Sequence, residues 1–230
     1  GARSPLWTPP VSISGKMKGA MRLTPELIVR AYAGGVFPMA ESAADATIHW
    51  FEPRLRGVLP PDGFHVSRSL ARRRRRGDFR FCCDGDFAGV MRACADRPVT
   101  WINDEIFRVF NELHALGLAH SIEVRSAGGA LAGGVYGLAL GGAFFAESMV
   151  SPQIDGSKLA LAELVARLRR GGYRLIDTQY LTPHLASLGG IEIPRASYRR
   201  QLQAALEAPA DPARAFAPVN PAAADGAFWL

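Results

Sequence analysis

Three polar side chains follow two short apolar runs that are typical of neighbouring strands in one sheet. Glu147 follows residues 143–145, whereas Asp177 and Gln179 lie at the end of the run that starts at Leu175. Open α/β sheets bind ligands beyond the carboxyl ends of their strands, so these side chains are candidates for one site. A carboxylate beside a hydrophobic wall needs a partner or a chemical task. The alternative is that both carboxylates are ordinary helix-cap or loop residues.

A basic segment offers a second kind of chemistry. Residues 72–76 are five consecutive arginines, and Arg68 and Arg80 extend the block. Such a block repels itself unless it meets an anion, which favours phosphate binding over a merely solvated face. The sequence has no RNA-recognition or zinc-finger signature, so we expect contacts to nucleic-acid backbone and shape. A non-enzymatic RNA-binding protein, with the arginines as its whole function, is an alternative interpretation.

Histidines and cysteines predict neither a metal site nor covalent catalysis. His114 and His120 lack a third partner at metal-ligand spacing. Cys82, Cys83 and Cys94 form no C-x-x-C pair, and their odd number argues against a disulfide framework and for a reducing compartment. No serine lies in a G-x-S-x-G setting. We therefore predict no metal and no cofactor.

The composition indicates a folded protein with a polyanionic partner. The 230 residues allow one large domain or two small ones, and 48% hydrophobic with 21% charged residues is close to globular usage. The formal net charge is +6, which fits an anionic partner. The longest apolar stretch, residues 133–146, is rich in glycine and falls short of the ~20 residues that span a bilayer. Residues 1–10 carry no secretion signal, so we expect a cytoplasmic protein without a membrane span.

A small N-terminal unit precedes a larger domain. Thr24 can cap a helix over 24–34, and residues 35–62 are typical of short strands and loops. We place the N-terminal domain at 1–63 and the larger domain at 64–230. The Ala/Pro-rich tail after about residue 208 has little secondary-structure signal.

The larger domain predicts a mixed sheet with helices on its faces. Strands over 119–125, 131–140 and 143–147 form an antiparallel meander. A helix capped by Ser157 leads to a strand over 173–177, and this crossover places the last strand parallel to the strand that ends at Glu147. Other predicted elements are a strand over 79–83 and helices over 67–76, 86–95, 104–116 and 196–207. The fold class is therefore α+β, with a mostly antiparallel sheet flanked by helices.

The order of meander, helix and strand also describes GNAT-type acyltransferases, which use acyl-coenzyme A. Those enzymes cradle pyrophosphate on a Gly-rich helix start. The corresponding stretch, residues 153–158, has one glycine and carries Asp155 where backbone amides should face phosphate. This stretch argues against a coenzyme A site.

Several sequence blocks occur in a fixed order between about residues 27 and 200. They are A-Y-A-G-G-V-F-P at 31–38, F-H-V-S-R-S-L at 64–70, T-W-I-N at 100–103, L-H at 113–114, A-H-S-I-E at 119–123, G-G-V-Y-G at 133–137, E-S-M at 147–149, S-K at 157–158, D-T-Q at 177–179 and H-L-A-S-L-G at 184–189. So many ordered blocks argue against chance similarity. In these blocks the chain resembles the bacterial leucyl/phenylalanyl-tRNA–protein transferase family.

The resemblance implies a GNAT-like larger domain that takes its acyl group from aminoacyl-tRNA. It implies that Asp177 and Gln179 are the catalytic pair and that Glu147 lies in the same site. Met39 stands where many members have a tryptophan. The positions implied to bind the aminoacyl side chain and terminal adenosine are Tyr32, Met39, Trp101, Phe110, Phe144, Met149, Leu161, Leu164 and Ile176. Those implied to contact tRNA are Arg68, Arg72, Arg73, Arg74, Arg75 and Arg76.

The implied activity is transfer of Leu, Phe or Met from tRNA to the α-amine of proteins that begin with Arg or Lys. Such transfer marks those proteins for N-degron degradation. Aminolysis of an activated ester needs no covalent intermediate, so positioning can supply much of the acceleration. We expect the Gln179 amide carbonyl to orient the attacking amine, with Asp177 polarising or holding it. The alternative is a GNAT-type transferase that moves an acyl or aminoacyl group to a non-protein amine.

Overall fold

The computed structural model describes residues 22–218 and begins with a small unit of one helix and two strands. Helix α1 spans Pro25–Ala33, and the Thr24 side chain caps its first turn. Strands β1 (Phe37–Met39) and β2 (His49–Phe51) follow and pair antiparallel with each other. The helix predicted over 24–34 and the short strands predicted after it are confirmed.

A seven-stranded sheet forms the centre of the larger part. In spatial order its strands are β4 (Phe79–Cys83), β5 (Ala119–Ser126), β6 (Leu131–Leu140), β7 (Ala143–Val150), β8 (Leu175–Gln179), β3 (Leu55–Val58) and β9 (Ile191–Pro194). Every neighbouring pair is antiparallel except β7 and β8, which run parallel with Phe145 opposite Asp177. The predicted mixed and mostly antiparallel sheet is confirmed, as is the parallel arrangement of its crossover strands.

Helices cover both faces of this sheet. They are α2 (Arg68–Arg75), α3 (Phe87–Ala95), α4 (Asp104–Ala115), α5 (Gly156–Arg170), α6 (Pro183–Ser187), α7 (Arg195–Leu206) and α8 (Pro212–Ala215), with a 3-10 turn at Pro61–Gly63. The apolar stripes predicted for two of them are buried, as with Val90 and Cys94 on α3 and Val109 and Leu113 on α4. Within residues 22–218, none of the helices is both long and apolar enough to cross a membrane.

Two hydrophobic cores lie on opposite faces of the sheet, because successive side chains of a strand point to opposite sides. On β7, Phe145 enters the first core together with side chains of α1, α3, α4 and α7. Its neighbour Phe144 enters the second core, which α5 covers. On β8, Leu175 enters the first core and Ile176 enters the second. Residues one position apart therefore face different cores.

Several boundaries differ from those predicted from the sequence. Strand β7 continues to Val150, beyond the predicted end at Glu147. Helix α5 begins at Gly156, and its N-cap is Asp155 with a φ of 62° rather than Ser157. Strand β3 precedes residue 64, where we placed the start of the larger domain, yet it lies inside the large sheet between β8 and β9. A four-residue strand has too short a hydrophobic pattern to reveal its partners.

The Ala/Pro-rich tail also has structure as far as it is described. Helix α8 packs against α5, and the ring of Phe216 stacks on His120 with centroids 3.6 Å apart. The buried Arg167 side chain donates to the carbonyl of Ala215 over 3.1 Å. The expectation of little secondary structure after residue 208 is therefore wrong for 212–215, where tertiary contacts supply what the local sequence lacks. Residues 1–21 of the predicted N-terminal domain and 219–230 of the tail lie outside the described residues.

Candidate active site

The ends of the two parallel strands bring the predicted polar residues together. Phe145 of β7 lies opposite Asp177 of β8, so the residues that follow them reach the same edge of the sheet. The Nε2 atom of Gln179 donates a hydrogen bond to Oε1 of Glu147 over 3.0 Å. The structure therefore places Glu147, Asp177 and Gln179 in one cluster.

Glu147 reaches this position through a β-bulge. Gly137 of β6 pairs with Ala146, but its neighbour Tyr136 pairs with Ser148, so Glu147 is the extra residue on β7. A bulge bends its strand and re-aims the side chain. Gly137 permits the close approach, because a Cβ atom there would lie 2.1 Å from a carbonyl oxygen of β7. Sequence alternation does not reveal a bulge, so strand pairing determines where Glu147 points.

Gln179 adopts a left-handed backbone conformation with a φ of 58°. This region is costly for a non-glycine residue and persists where the surrounding structure imposes it. The amide N–H of Gln179 donates to Oδ1 of Asp177 over 2.8 Å, which closes the turn. Gly57 of β3 packs against the same turn, since a Cβ atom there would lie 2.5 Å from the carbonyl carbon of Tyr180. Strand β3 therefore supports the conformation of Gln179.

Asp177 is completely buried, and each of its carboxylate oxygens accepts two hydrogen bonds. Oδ1 accepts from Nε of Arg56 over 2.9 Å and from the Gln179 amide. Oδ2 accepts from Nη2 of Arg56 over 2.7 Å and from the Tyr198 hydroxyl over 2.6 Å. These partners leave no face of the carboxylate open to a substrate. Asp177 can therefore influence the site through the backbone of Gln179.

Arg56 is a site residue that the sequence analysis missed. Its guanidinium lies between the rings of Phe37 and Tyr198, 4.5 and 4.4 Å from their centroids, and Nη1 donates to the Gly35 carbonyl over 3.0 Å. Burial lowers the pKa of Arg56, but the Asp177 carboxylate more than offsets this and holds the pKa above its ordinary value. A single arginine in a four-residue strand belongs to no motif, so no sequence signal identifies it.

The pKa of the Glu147 carboxyl group is shifted well above its ordinary value. Burial raises its pKa to about 8, and the charge of Asp177 adds to the rise, while Tyr32, Arg56 and Gln179 oppose it. The carboxyl group is therefore mostly protonated at neutral pH. Its hydrogen bond to Gln179 occupies the Nε2 atom, and among the described residues the Oε1 atom of Gln179 has no partner. That oxygen is available to accept a hydrogen bond from a ligand.

Aromatic residues of the first core surround the Glu147 side of the site. Tyr32 lies edge-on to Phe110 and Phe145, with centroids 6.5 and 5.0 Å apart, and Tyr136 lies edge-on to Phe110 at 5.7 Å. Both tyrosine hydroxyls are buried; that of Tyr32 interacts with the Glu147 carboxyl group, whereas that of Tyr136 has no hydrogen-bond partner within residues 22–218. Burial raises the pKa of both hydroxyls, and Glu147 raises them further, so both stay protonated. The Tyr136 hydroxyl is a donor that a bound molecule could use.

The residues that the resemblance assigns to the donor pocket divide between the two cores. Tyr32 and Phe110 are buried in the first core, and the half-buried Met39 and Trp101 pack against it. The remaining members lie in or against the second core: Phe144, Met149, Leu161, Leu164 and Ile176. Strand alternation puts the sheet between the two sets. The structure therefore does not bring all the predicted pocket residues together.

The arginine block forms a basic face on the α5 side of the sheet. Arg74 pairs with Glu163 of α5 over 2.9 Å. The guanidinium groups of Arg73 and Arg74 also lie over the rings of Phe79 and Phe81, at 5.4 and 4.5 Å from the centroids. The exposed arginines of the block are Arg68, Arg72, Arg75, Arg76 and, on β4, Arg80. The predicted tRNA-contacting residues thus lie on α2 and at its C-cap Arg76, four of them open to solvent.

Arginines from distant parts of the chain join this basic face. Arg170, near the end of α5, has a lowered pKa because of its burial and because Arg167, Arg214 and Arg74 add their positive charges. Glu163 partly offsets these charges. Positive charges from α2, α5 and α8 therefore lie near Arg170. The sequence block alone could not show this, because these helices are separated by many residues.

Histidines and cysteines serve local structure in the described chain. Nδ1 of His120 is 2.7 Å from Oδ2 of Asp84, and Nδ1 of His114 is 2.8 Å from the Ala119 carbonyl. Burial raises the pKa of the Cys83 thiol, so this thiol stays protonated. In the part of the chain that the structure describes, no group of three or more His, Cys, Asp or Glu side chains could hold a metal ion.

The fold and the site define an α+β protein with a buried carboxylate–amide cluster and a separate basic face. Two family models match the chain in succession. Leucyl/phenylalanyl-tRNA protein transferase N-terminal domain matches residues 21–54, and Leucyl/phenylalanyl-tRNA protein transferase matches residues 58–203. The chain belongs to the leucyl/phenylalanyl-tRNA–protein transferase family. It is an aminoacyltransferase that moves an amino acid from tRNA to protein N-termini.

Named relatives cover most of the chain. A leucyl/phenylalanyl-tRNA–protein transferase of Cereibacter sphaeroides (strain ATCC 17025 / ATH 2.4.3) is 64% identical over 189 residues, which are 82% of this chain and 88% of that protein. One of Ruegeria sp. (strain TM1040) is 59% identical over 191 residues, 83% and 90% of the two chains. Among solved structures, that of L-PGS from Bacillus licheniformis is 14% identical, with a TM-score of 0.39 over 70% of this chain and 55% of that one. This last likeness is too low to support an argument. The family predicted from the sequence blocks is confirmed.

Proposed function

We propose that the donor is tRNA carrying Leu, Phe or Met and that the acceptor is the α-amine of a protein beginning with Arg or Lys. The product would carry a new N-terminal residue that marks it for degradation in the cytoplasm. The observation that carries this proposal is the cluster of Glu147, Asp177 and Gln179 at the strand ends, bordered by aromatic side chains.

The chemistry is direct aminolysis. The α-amine attacks the ester carbonyl carbon, a C–N bond forms, and the C–O bond to the ribose breaks. The amine proton passes to the departing ribose oxygen, directly or through water. Gln179 is not a base at neutral pH, so its role is to accept a hydrogen bond from the amine at Oε1. Its Nε2 atom is held by Glu147, which fixes the orientation of the amide.

The neutral state of Glu147 fits this role. Two ionised carboxyl groups side by side would repel each other, and the raised pKa of Glu147 avoids this at neutral pH. An apolar surround discriminates the donor side chain by only ~1–3 kcal/mol per methylene, which fits acceptance of several hydrophobic amino acids. Charged side chains would be rejected strongly, because they would be desolvated without a partner.

The basic face fits contact with the tRNA body rather than with the reacting ester. Asp177 is hydrogen-bonded to Arg56 and to the first-core residue Tyr198, whereas α2 packs over the second core on the other face of the sheet. Exposed arginines on that helix can neutralise phosphates without touching the acyl group. We therefore propose that the arginines set donor affinity and that the strand-end cluster sets the rate of transfer.

We also propose a GNAT-like arrangement for the larger domain, supported by the meander followed by the crossover helix α5 and the parallel strand β8. The start of α5 is unlike a pyrophosphate cradle. Asp155 is its N-cap, and the Ser157 amide already donates to the Ser151 hydroxyl over 3.1 Å. This favours aminoacyl-tRNA over acyl-coenzyme A as the donor.

The test is incubation of the pure protein with charged tRNA and a peptide beginning with Arg, followed by mass spectrometry. We expect one added Leu, Phe or Met residue, and no addition to a matched peptide beginning with Ala. Gln179→Ala should lower the single-turnover rate at least ~10-fold, because a lost orienting hydrogen bond costs roughly 1–3 kcal/mol. The matched control is Gln201→Ala on the exposed face of α7, which should react like the wild type. Transfer to a small non-protein amine in preference to the Arg peptide would contradict the proposal.

A further inference from the structure

We propose that Arg56 and Tyr198 are positioning residues for the transfer reaction, acting through Asp177 on the turn at Gln179. The inference rests on the proposed role of the Gln179 amide. In this proposal the buried Asp177 carboxylate has a mechanistic role, because it holds the turn at Gln179. It does not touch the substrate. Neither Arg56 nor Tyr198 belongs to a sequence block singled out above.

The hydrogen bonds around Asp177 form a closed network. Arg56 engages both carboxylate oxygens with its planar fork, and the Tyr198 hydroxyl adds a short bond of 2.6 Å to Oδ2. The exposed fractions of Arg56, Asp177 and Tyr198 are 1%, 0% and 1%. A buried charge pair with every polar atom satisfied is rigid, because loss of any one partner leaves a charge unpaired. The network therefore fixes the position of Oδ1.

Oδ1 is the atom that holds the turn. It accepts the Gln179 amide over 2.8 Å, and Gln179 has the left-handed φ of 58° that a non-glycine residue adopts only under constraint. The Gln179 side chain extends from this turn to Glu147 and donates a hydrogen bond to it. A shift of Oδ1 would release the constraint and let the amide leave its attack position.

The network also connects the N-terminal unit to the site. Nη1 of Arg56 donates to the carbonyl of Gly35, just after α1, and the ring of Phe37 covers the guanidinium. Tyr198 covers the other side from α7. Three segments that are far apart in sequence therefore converge on one carboxylate. This explains why the small N-terminal unit is part of the working site.

A second buried ion pair provides the comparison for a structural role. Arg167 and Glu163 pair over 2.9 Å on α5, the helix that covers the second core, with side-chain exposures of 4% and 9%. Arg167 also donates to the tail carbonyls of Ala215 and Ala217. Disturbing this pair should affect stability, whereas disturbing the Asp177 network should affect the rate in folded protein as well.

The test compares Tyr198→Phe with Tyr173→Phe, a matched loss of a buried hydroxyl that has no hydrogen-bond partner in the described chain. Single-turnover rates are measured with saturating charged tRNA and an Arg peptide at a temperature where circular dichroism shows each variant folded. We expect Tyr198→Phe to lower the rate about tenfold with donor affinity within twofold, and Tyr173→Phe to leave the rate unchanged. Arg56→Lys keeps the charge but loses the fork, and should lower the rate at least as much.

The double variant Tyr198→Phe/Gln179→Ala tests whether Tyr198 affects the transfer rate through Gln179. If Tyr198 acts through Gln179, its substitution should have no further effect on the rate once the Gln179 amide is gone. The inference would be overturned if the rate reductions of the two single variants multiplied in the double variant. It would also be overturned if the single Tyr198→Phe variant reacted like the wild type. A Gln179→Ala variant with wild-type rate would instead contradict the proposed role of Gln179, so the two failures are distinguishable.

Discussion

Glu147→Gln should make the protein more stable at alkaline pH. Burial raises the pKa of Glu147 from 4.5 to about 8, so the folded state holds this proton more tightly than the unfolded state. The associated stability is fully present below the unfolded-state pKa and is lost as the pH rises through the folded-state value. Glutamine has a similar shape and stays neutral, so the variant does not lose this stability.

The magnitude follows from the difference between the two pKa values. One pKa unit corresponds to about 1.4 kcal/mol, so the wild type should lose at most about 3 kcal/mol relative to the variant between pH 5.5 and pH 9. Part of the Glu147 side chain remains accessible to water, so we expect about 1 to 3 kcal/mol. This is a large share of the 5–15 kcal/mol typical of a folded domain.

The assay is urea unfolding, followed by circular dichroism, of the wild type and variant from pH 5.5 to pH 9. All other titrating groups are shared, so they cancel in the difference between the two proteins. Glu26→Gln is the matched control, because Glu26 lies on the exposed face of α1 and pairs there with Arg30. Its effect should stay below about 1 kcal/mol and should not grow with pH over this range. A Glu147→Gln difference that is constant from pH 5.5 to pH 9 would refute the assigned burial and charge environment.

Three other substitutions test separate parts of the structure. Replacing the exposed arginines of α2 by glutamine should reduce the log–log salt slope of tRNA binding by about 0.7–0.9 for each phosphate that is no longer neutralised, while use of an aminoacyl-adenosine donor is unchanged; an unchanged slope would place the tRNA-binding surface elsewhere. Gly57→Ala would put a Cβ atom 2.5 Å from the Tyr180 carbonyl carbon, and should lower both stability, by about 1–3 kcal/mol in urea unfolding, and the transfer rate. Phe216→Ala removes a buried ring stacked on His120 and should cost about 3 kcal/mol in the same assay, whereas no loss would show that the tail does not pack there. The substituted arginines are Arg68, Arg72 and Arg75, the exposed arginines within α2.

Local sequence determined the elements that carry long, regular patterns. The stripes of Val90 with Cys94 and of Val109 with Leu113 repeat at helical spacing, and both helices form with those residues buried. The spacing of meander, helix α5 and final strand also sufficed to predict that β7 and β8 run parallel, because crossover connections obey a fixed geometry. Glu147, Asp177 and Gln179 could be grouped for the same reason.

Short elements and single buried partners were beyond the reach of sequence reasoning. Strands β3 and β9 have four residues each, and β3 takes its place in the sheet through hydrogen bonds to β8 and β9, which come much later in the chain. The tail segment around Phe216 forms its short helix because α5 and His120 provide a surface for it. Such contacts leave no periodic signature.

The sequence by itself determined the family, the residue types of the cluster and the basic character of one helix, because residue types and ordered blocks carry that information locally. Only the tertiary structure decided that Asp177 is enclosed by Arg56 and Tyr198, that a bulge aims Glu147 at Gln179, and that the predicted pocket residues lie on two faces of the sheet. The physical reason is that desolvation, ion pairing and backbone strain depend on which distant segments pack together. None of these quantities exists until the chain has folded.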